Sequence, residues 1–249
     1  MNDETPRGKL KGLRIATTRE RAGALDELLA AGGAQVSHIP LIRIAPPEDE
    51  SPLREALAQV GKYRWVVFTS SNALRMFLQF GGHDAPGVAC VGDTTAREAK
   101  DAGLNVSLVP ERQHVKGMIE AFAGLEEQSG RVLYPRSEIA PTTLKEGLQA
   151  LGFDVDDPVA YRTLPDETGM QALAQSLDQL DALAFASPSA VENAWSAAAE
   201  KLGSKRLYSI GPTTSAALRK HKLEPAGEAA THSAEGLAQA VIEGESNHE

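Results

Sequence analysis

The chain has 249 residues, enough for two domains of ordinary size, and its 42% hydrophobic and 24% charged residues are those of a soluble globular protein. A formal charge of −9 argues against nucleic-acid binding, which needs a basic face, but leaves room for an anionic small molecule in a local basic pocket. No apolar run approaches the roughly 18 to 20 residues needed to cross a bilayer, and none of His38, His83, His114, His221, His232 and His248 shares a metal-ligand spacing with another, so neither membrane nor metal is expected.

Met1 to Arg14 is polar and lacks the apolar centre of a secretory signal; it reads as a short frayed lead of a cytoplasmic protein. A first strand follows, then a helix with Leu25, Leu28 and Leu29 on one face that stops at Gly32-Gly33, where a left-handed cap suits glycine. A second strand closes at Pro40. Ile44 to Glu50 is acidic and proline-bearing, the composition of a linker, and Arg43 beside it reads as a solvated side chain. Trp65 to Phe68 is a continuous apolar strand, as expected when helices cover both faces of a parallel sheet. The next strand contains Cys90, the only cysteine, which reads as buried filler. Arg131 begins another strand, and a helix opening near Pro141 carries Leu144, Leu148 and Leu151 to its end at Gly152. Val159 to Thr163 precedes a second linker-like segment, Leu164 to Thr168, with Arg162 again read as solvated. A further apolar strand ends at Phe185, another at Ile210, and the polar tail Gly244 to Glu249 is expected to be disordered.

Much of this is written twice. The run from Arg14 to Glu20 recurs at Arg131 to Ser137, that from Trp65 to Ala73 at Ala182 to Ala190, and that from Val91 to Thr95 at Ile210 to Thr214, each roughly 118 positions later. Within each copy, short apolar strands alternate with helical stretches, the pattern of βαβ crossovers, so each predicts a three-layer doubly wound domain. Two partitions remain open. A tandem reading cuts near Glu126 to Gly130; if both acidic segments are linkers, the N-terminal segment rejoins the C-terminal half and the domains are joined twice.

In open α/β sheets ligands gather beyond the carboxyl ends of strands, where helix starts present unpaired N–H groups and a partial positive charge. Four such junctions here are rich in small hydroxyls: Thr69-Ser70-Ser71-Asn72, Gly92-Asp93-Thr94-Thr95, Ser187-Pro188-Ser189 and Gly211-Pro212-Thr213-Thr214. Any one is explained by ordinary helix capping; all four, with exposed donors in both copies, favour an anion site shared by the two domains. Arg19 and Arg136 follow two more strands and suit carboxylate or phosphate, although surface arginines would look the same. Nucleotide-phosphate loops and the hydrolase G-x-S-x-G elbow are both missing. Tyr161 is either a strand aromatic packed on a hinge or a phenol able to donate a proton near neutral pH.

Taken together, Thr17-Thr18-Arg19, Pro40, Phe68-Thr69-Ser70, Val91-Gly92 with Thr95, Tyr161 with Thr163, Phe185 with Ser187, and Ile210-Gly211-Pro212-Thr213-Thr214 resemble the uroporphyrinogen-III synthase family over nearly the whole chain. Asn72 departs from members that carry arginine there. The resemblance implies two similar flavodoxin-like doubly wound domains on a double linker, residues 1–43 with 163–249 and residues 44–162. It implies a cyclising lyase of tetrapyrrole and heme biosynthesis that closes hydroxymethylbilane, a polycarboxylate, to uroporphyrinogen III with ring D inverted and water lost, using no metal or organic cofactor. Tyr161 would assist hydroxyl departure. Arg19, Thr69, Ser70, Ser71, Asn72, Gly92, Thr94, Thr95, Arg136, Ser187, Pro188, Ser189, Gly211, Thr213 and Thr214 would hold the substrate. A monomer is expected, since no segment advertises an apolar interface. The competing expectations are a two-lobed sensor that binds a small anion without catalysis, and a nucleotide-dependent transferase.

Overall fold

The structure is a computed structural model and describes residues 8–246. In chain order it holds β1 (Arg14–Thr17), α1 (Ala24–Ala31), β2 (Gln35–His38), β3 (Ile42–Ala45), α2 (Ser51–Leu57), β4 (Trp65–Phe68), α3 (Ser71–Gln79), β5 (Val88–Cys90), α4 (Asp93–Asp101), β6 (Val106–Leu108), α5 (Val115–Ala123) and β7 (Arg131–Leu133). It continues with β8 (Arg136–Ser137), α6 (Thr143–Ala150), β9 (Asp154–Asp156), β10 (Val159–Pro165), α7 (Glu167–Ser176), β11 (Ala182–Phe185), α8 (Pro188–Ala198), β12 (Arg206–Ser209), α9 (Pro212–Lys220), β13 (Gly227–Glu228) and α10 (Ala234–Ser246). None of the described helices is long and apolar enough to cross a membrane.

Two compact units result. The first takes the chain up to Arg43 and from Leu164 onward; the second is Ile44–Thr163. The sheet of the first unit runs β13-β12-β11-β1-β2 and is parallel throughout. That of the second runs β6-β5-β4-β7-β9, also parallel. Counted along each unit's own chain these orders differ. Matched through the repeated segments, however, β1 takes the place of β7, β11 that of β4 and β12 that of β5, so the spatial order is one and the same. The copies are circular permutations of one doubly wound sheet, which short parallel crossovers allow without changing the packing.

Alternation along the central strands builds a core on each face. In the second unit Val66 and Phe68 join Leu53, Phe77 and Ala99 on one side, while Val67 and Ala89 join Met118, Phe122 and Leu148 on the other. The first unit divides likewise, with Leu183 and Phe185 on one face and Ile15, Ala182 and Ala184 on the other. Both α1 and α6 end in a left-handed glycine, Gly33 at φ 98° and Gly152 at φ 100°.

Four expectations change. The acidic, proline-bearing segments are only partly linkers. Ile44–Ala45 and Leu164–Pro165 belong to β3 and β10, neighbours in a three-stranded sheet with β8, and Asp166 caps α7 by accepting from the Gly169 N–H at 2.9 Å. Arg162 is not merely solvated: it donates to the Pro46 carbonyl at 3.1 Å and to the Glu48 carboxylate. The lead is anchored from Leu10, whose side chain is fully buried and whose N–H donates to the Gly32 carbonyl at 3.0 Å; residues 1–7 lie outside the described range. The tail is helical through Ser246, because buried Glu245 accepts from Arg206 at 2.6 Å and from the Tyr208 hydroxyl at 2.8 Å; residues 247–249 lie outside the described range.

Candidate functional site

The candidate residues stand at the carboxyl ends of the strands of each unit, where a doubly wound sheet presents helix starts. In the second unit β4 delivers Thr69 and Ser70. Ser70 has extended backbone geometry and its hydroxyl caps α3, accepting from the Ala73 N–H at 3.2 Å. The same hydroxyl lies 3.1 Å from the Tyr161 hydroxyl. Tyr161 comes from β10 and is 8% exposed, so its ring is core while its polar tip reaches the strand-end edge. Ser71 lies 3.4 Å from the Thr95 hydroxyl, joining the starts of α3 and α4. Thr69 hydrogen-bonds Tyr134, just past β7; burial pushes the Tyr134 phenol up, with the Thr69 bond pulling against it.

The structure thus gathers Thr69, Ser70, Ser71, Thr95 and Tyr161 into one polar edge and adds Tyr134, which the sequence offered only as a strand residue. Other candidates are already engaged. Asn72 accepts from Arg75 at 2.8 Å, so a guanidinium reaches this loop from one turn along the helix, balanced by Glu98 at 3.4 Å. Gly92 begins α4, but the Asp93 N–H donates to Gln113 at 3.2 Å, so this helix start is not open; Thr94 is exposed. Arg136 lies in β8, with Nε 2.8 Å from Asp157 and Nη1 on the carbonyls of Ser137 and Glu138. Burial alone would raise the Asp157 carboxyl, yet Lys145 and Arg136 outweigh it and hold the group below its ordinary value.

The first unit repeats the arrangement. Ser187 caps α8 by accepting from the Ala190 N–H, again at 3.2 Å, with Pro188 in the first turn and Ser189 half-buried. Gly211 precedes α9, Pro212 opens it, and Thr213 is exposed. Thr214 is fully buried, and its hydroxyl has no hydrogen-bond partner among the described residues. A Cβ on Gly211 would come within 2.3 Å of the His232 imidazole, so glycine is required for that ring to lie against the start of α9. His232 follows β13 and carried no motif. Arg19, half-buried after β1, has no hydrogen bond or ion pair among the described residues, in contrast to Arg136. Four exposed helix starts were expected; the structure leaves those of α3, α8 and α9 uncovered by other side-chain acceptors and closes that of α4.

Cys90 is fully buried in β5, and that burial pushes its thiol up to about 12, as suits filler. No group of three or more metal-binding side chains occurs among the described residues. A cavity of about 440 Å³ beside Trp195, Lys220 and His221 lies at the C-terminal ends of α8 and α9, remote from the strand ends that carry the hydroxyls.

Two parallel doubly wound units with matched, hydroxyl-rich helix starts define a two-unit flavodoxin-like α/β protein. The family model described as uroporphyrinogen-III synthase HemD matches residues 23–239. A Methanothermobacter thermautotrophicus relative assigned to the same activity is 33% identical over 226 residues, spanning 83% of this chain and 89% of the relative. The uroporphyrinogen-III synthase of Synechococcus elongatus is 29% identical over 256 residues, 93% of this chain and 95% of that one. A crystal structure of a mutant uroporphyrinogen III synthase from Thermus thermophilus shares the fold, with TM-score 0.62 at 21% identity, covering 96% of this chain and all of that one. The chain belongs to the uroporphyrinogen-III synthase family.

Proposed function

We propose that this chain closes hydroxymethylbilane to uroporphyrinogen III, with loss of water and inversion of ring D, as a cofactor-independent cyclising lyase of tetrapyrrole biosynthesis. The observation that carries the reading is membership of the family over residues 23–239. The geometry supplies a physical account. The bilane is an electron-rich chain edged with carboxylates, and it closes unaided to the uninverted ring. Selectivity therefore comes from the shape in which the chain is held. Hydroxyls and N–H groups at helix starts suit carboxylates, because a partial positive charge and directed donors act together without a metal.

In this reading Ser70, Ser71, Thr69 and Thr95 in the second unit, and Ser187, Ser189, Thr213 and Arg19 in the first, bind side-chain carboxylates, while Thr214, whose side chain is fully buried, packs beneath the start of α9 and does not touch them. Pro188 and Gly211 shape the helix starts, and Gly92, Thr94, Asn72 and Arg136 play supporting parts. Tyr161 donates to the departing hydroxyl, poised by its hydrogen bond to Ser70. The protein acts as a cytoplasmic monomer and does not bind nucleic acid. Incubation with freshly made hydroxymethylbilane, followed by separation of type I and type III isomers, tests the reading: type III in excess is expected, and type I alone, as without protein, overturns it. Full turnover with unchanged isomer ratio in Tyr161→Phe would remove that residue from the mechanism.

A further inference from the structure

The first unit holds a histidine of fixed tautomer at the carboxyl end of β2. Thr17 ends β1 and His38 ends β2, directly opposite each other in register, and Asp26 sits in the first turn of α1. The Thr17 hydroxyl donates to Asp26 at 2.5 Å, and His38 Nδ1 lies 3.2 Å from that hydroxyl and 3.5 Å from the same carboxylate oxygen. A carboxylate only accepts, so Thr17 spends its one proton on Asp26 and must accept from His38. The proton of the neutral imidazole therefore sits on Nδ1, and Nε2 presents a lone pair. The imidazole side chain is 25% exposed, so Nε2 is within reach of a ligand at the carboxyl end of β2, the edge on which Arg19 also stands. The elements packed against β2 are chiefly β1 and α1. Their charged groups are Asp26 and Glu27 on α1 and, at the far end of β1, Arg14, which pairs with Asp181.

We infer that His38 is the proton acceptor for ring closure, with Asp26 and Thr17 as its positioning residues; the inference rests on the proposed cyclisation. The reaction takes up one proton, on the departing hydroxyl, and releases one. Inversion joins the former hydroxymethyl carbon to the substituted α-carbon of the terminal pyrrole and breaks that carbon's old bond to the adjoining methylene. The free α-carbon of the same ring then bonds to that methylene, and the C–H bond at this free α-carbon breaks. Its electron pair returns to the pyrrole ring, and the proton passes to His38 Nε2. The resulting imidazolium is faced by the Asp26 carboxylate and later gives its proton to water. No oxidant, reductant or metal is needed for this balance.

The test compares the unaltered chain with His38→Ala, His38→Gln and Asp26→Asn on hydroxymethylbilane, with folding checked by urea unfolding. Expected are a fall in kcat on the order of 10²-fold for both His38 variants with KM little changed, and partial recovery of His38→Ala by added imidazole. Asp26→Asn should lower kcat with KM little changed, by less than the His38 variants, because the imidazole loses the carboxylate that orients it through Thr17. His38→Gln keeps a donor for Thr17 and serves if the alanine variant folds poorly. Turnover by the unaltered chain together with unimpaired His38 variants, or a loss that imidazole does not restore, overturns this inference alone. Type I product from the unaltered chain overturns the proposed function as well.

Discussion

Ser70 and Ser187 form an internal control. Each caps its helix at the same 3.2 Å, but only Ser70 also partners a tyrosine hydroxyl, that of Tyr161. Replacing Ser187 by alanine should remove a cap and cost about 1 kcal/mol. Replacing Ser70 removes a cap and also strands the hydroxyl of a residue only 8% exposed, adding about 1–3 kcal/mol for a total of about 2–4 kcal/mol. Each unit carries one tryptophan, Trp65 in the second and Trp195 in the first, both in ring contacts that unfolding would break. Trp195→Phe therefore leaves fluorescence reporting the second unit and Trp65→Phe the first, which matters because two units need not unfold as one transition. With a urea slope of about 2 kcal/mol/M, the second unit's midpoint should fall by about 1–2 M for Ser70→Ala, against about 0.5 M in the first unit for Ser187→Ala. Combining Ser70→Ala with Tyr161→Phe should cost less than the two separately by about 1 kcal/mol. Equal losses for the two serines and strict additivity with Tyr161→Phe would refute the hydrogen-bond reasoning.

Glu245→Ala should lower the stability of the first unit by about 2–4 kcal/mol, because the buried Tyr208 hydroxyl and Arg206 lose a common acceptor; urea unfolding followed through Trp195 checks this. Cys90 should resist a thiol reagent in the native chain at neutral pH and react fully in urea, and rapid native labelling would contradict its burial. Asp157 has its folded pKa depressed, so its contribution is present above the unfolded value and is lost as pH falls through the folded one. The second unit should accordingly weaken below about pH 4, and Asp157→Asn should flatten that loss in acid unfolding followed through Trp65.

Periodicity made the cores legible. Leu25, Leu29, Leu144 and Leu148 are all buried, and the doubled strands at Val66 to Phe68 and Leu183 to Phe185 are sheet centres, because apolar runs and helical spacing are local signals. Ser70 and Ser187 were readable as caps for the same reason. The permuted order of the second sheet was not, since strand neighbours are settled by crossovers and not by the residues of a strand. Partners far apart in sequence were equally hidden: Gln113 closes the start of α4 from the loop before α5, and Asp26, Thr17 and His38 meet only when α1, β1 and β2 pack. Polar composition also misled. Glu245 looked like part of a loose tail and Arg162 like a solvated side chain, yet each is held by specific partners that composition cannot reveal.

The central claim is that the hydroxyl-rich helix starts of both sheets grip the carboxylates of the substrate. Amide chemical-shift changes on anaerobic titration with uroporphyrinogen III test it most directly. The largest changes are expected at Ser70–Ala73, Ser187–Ala190 and Thr213–Ser215; changes confined to the cavity beside Trp195 and His221, with those helix starts unmoved, would contradict that claim.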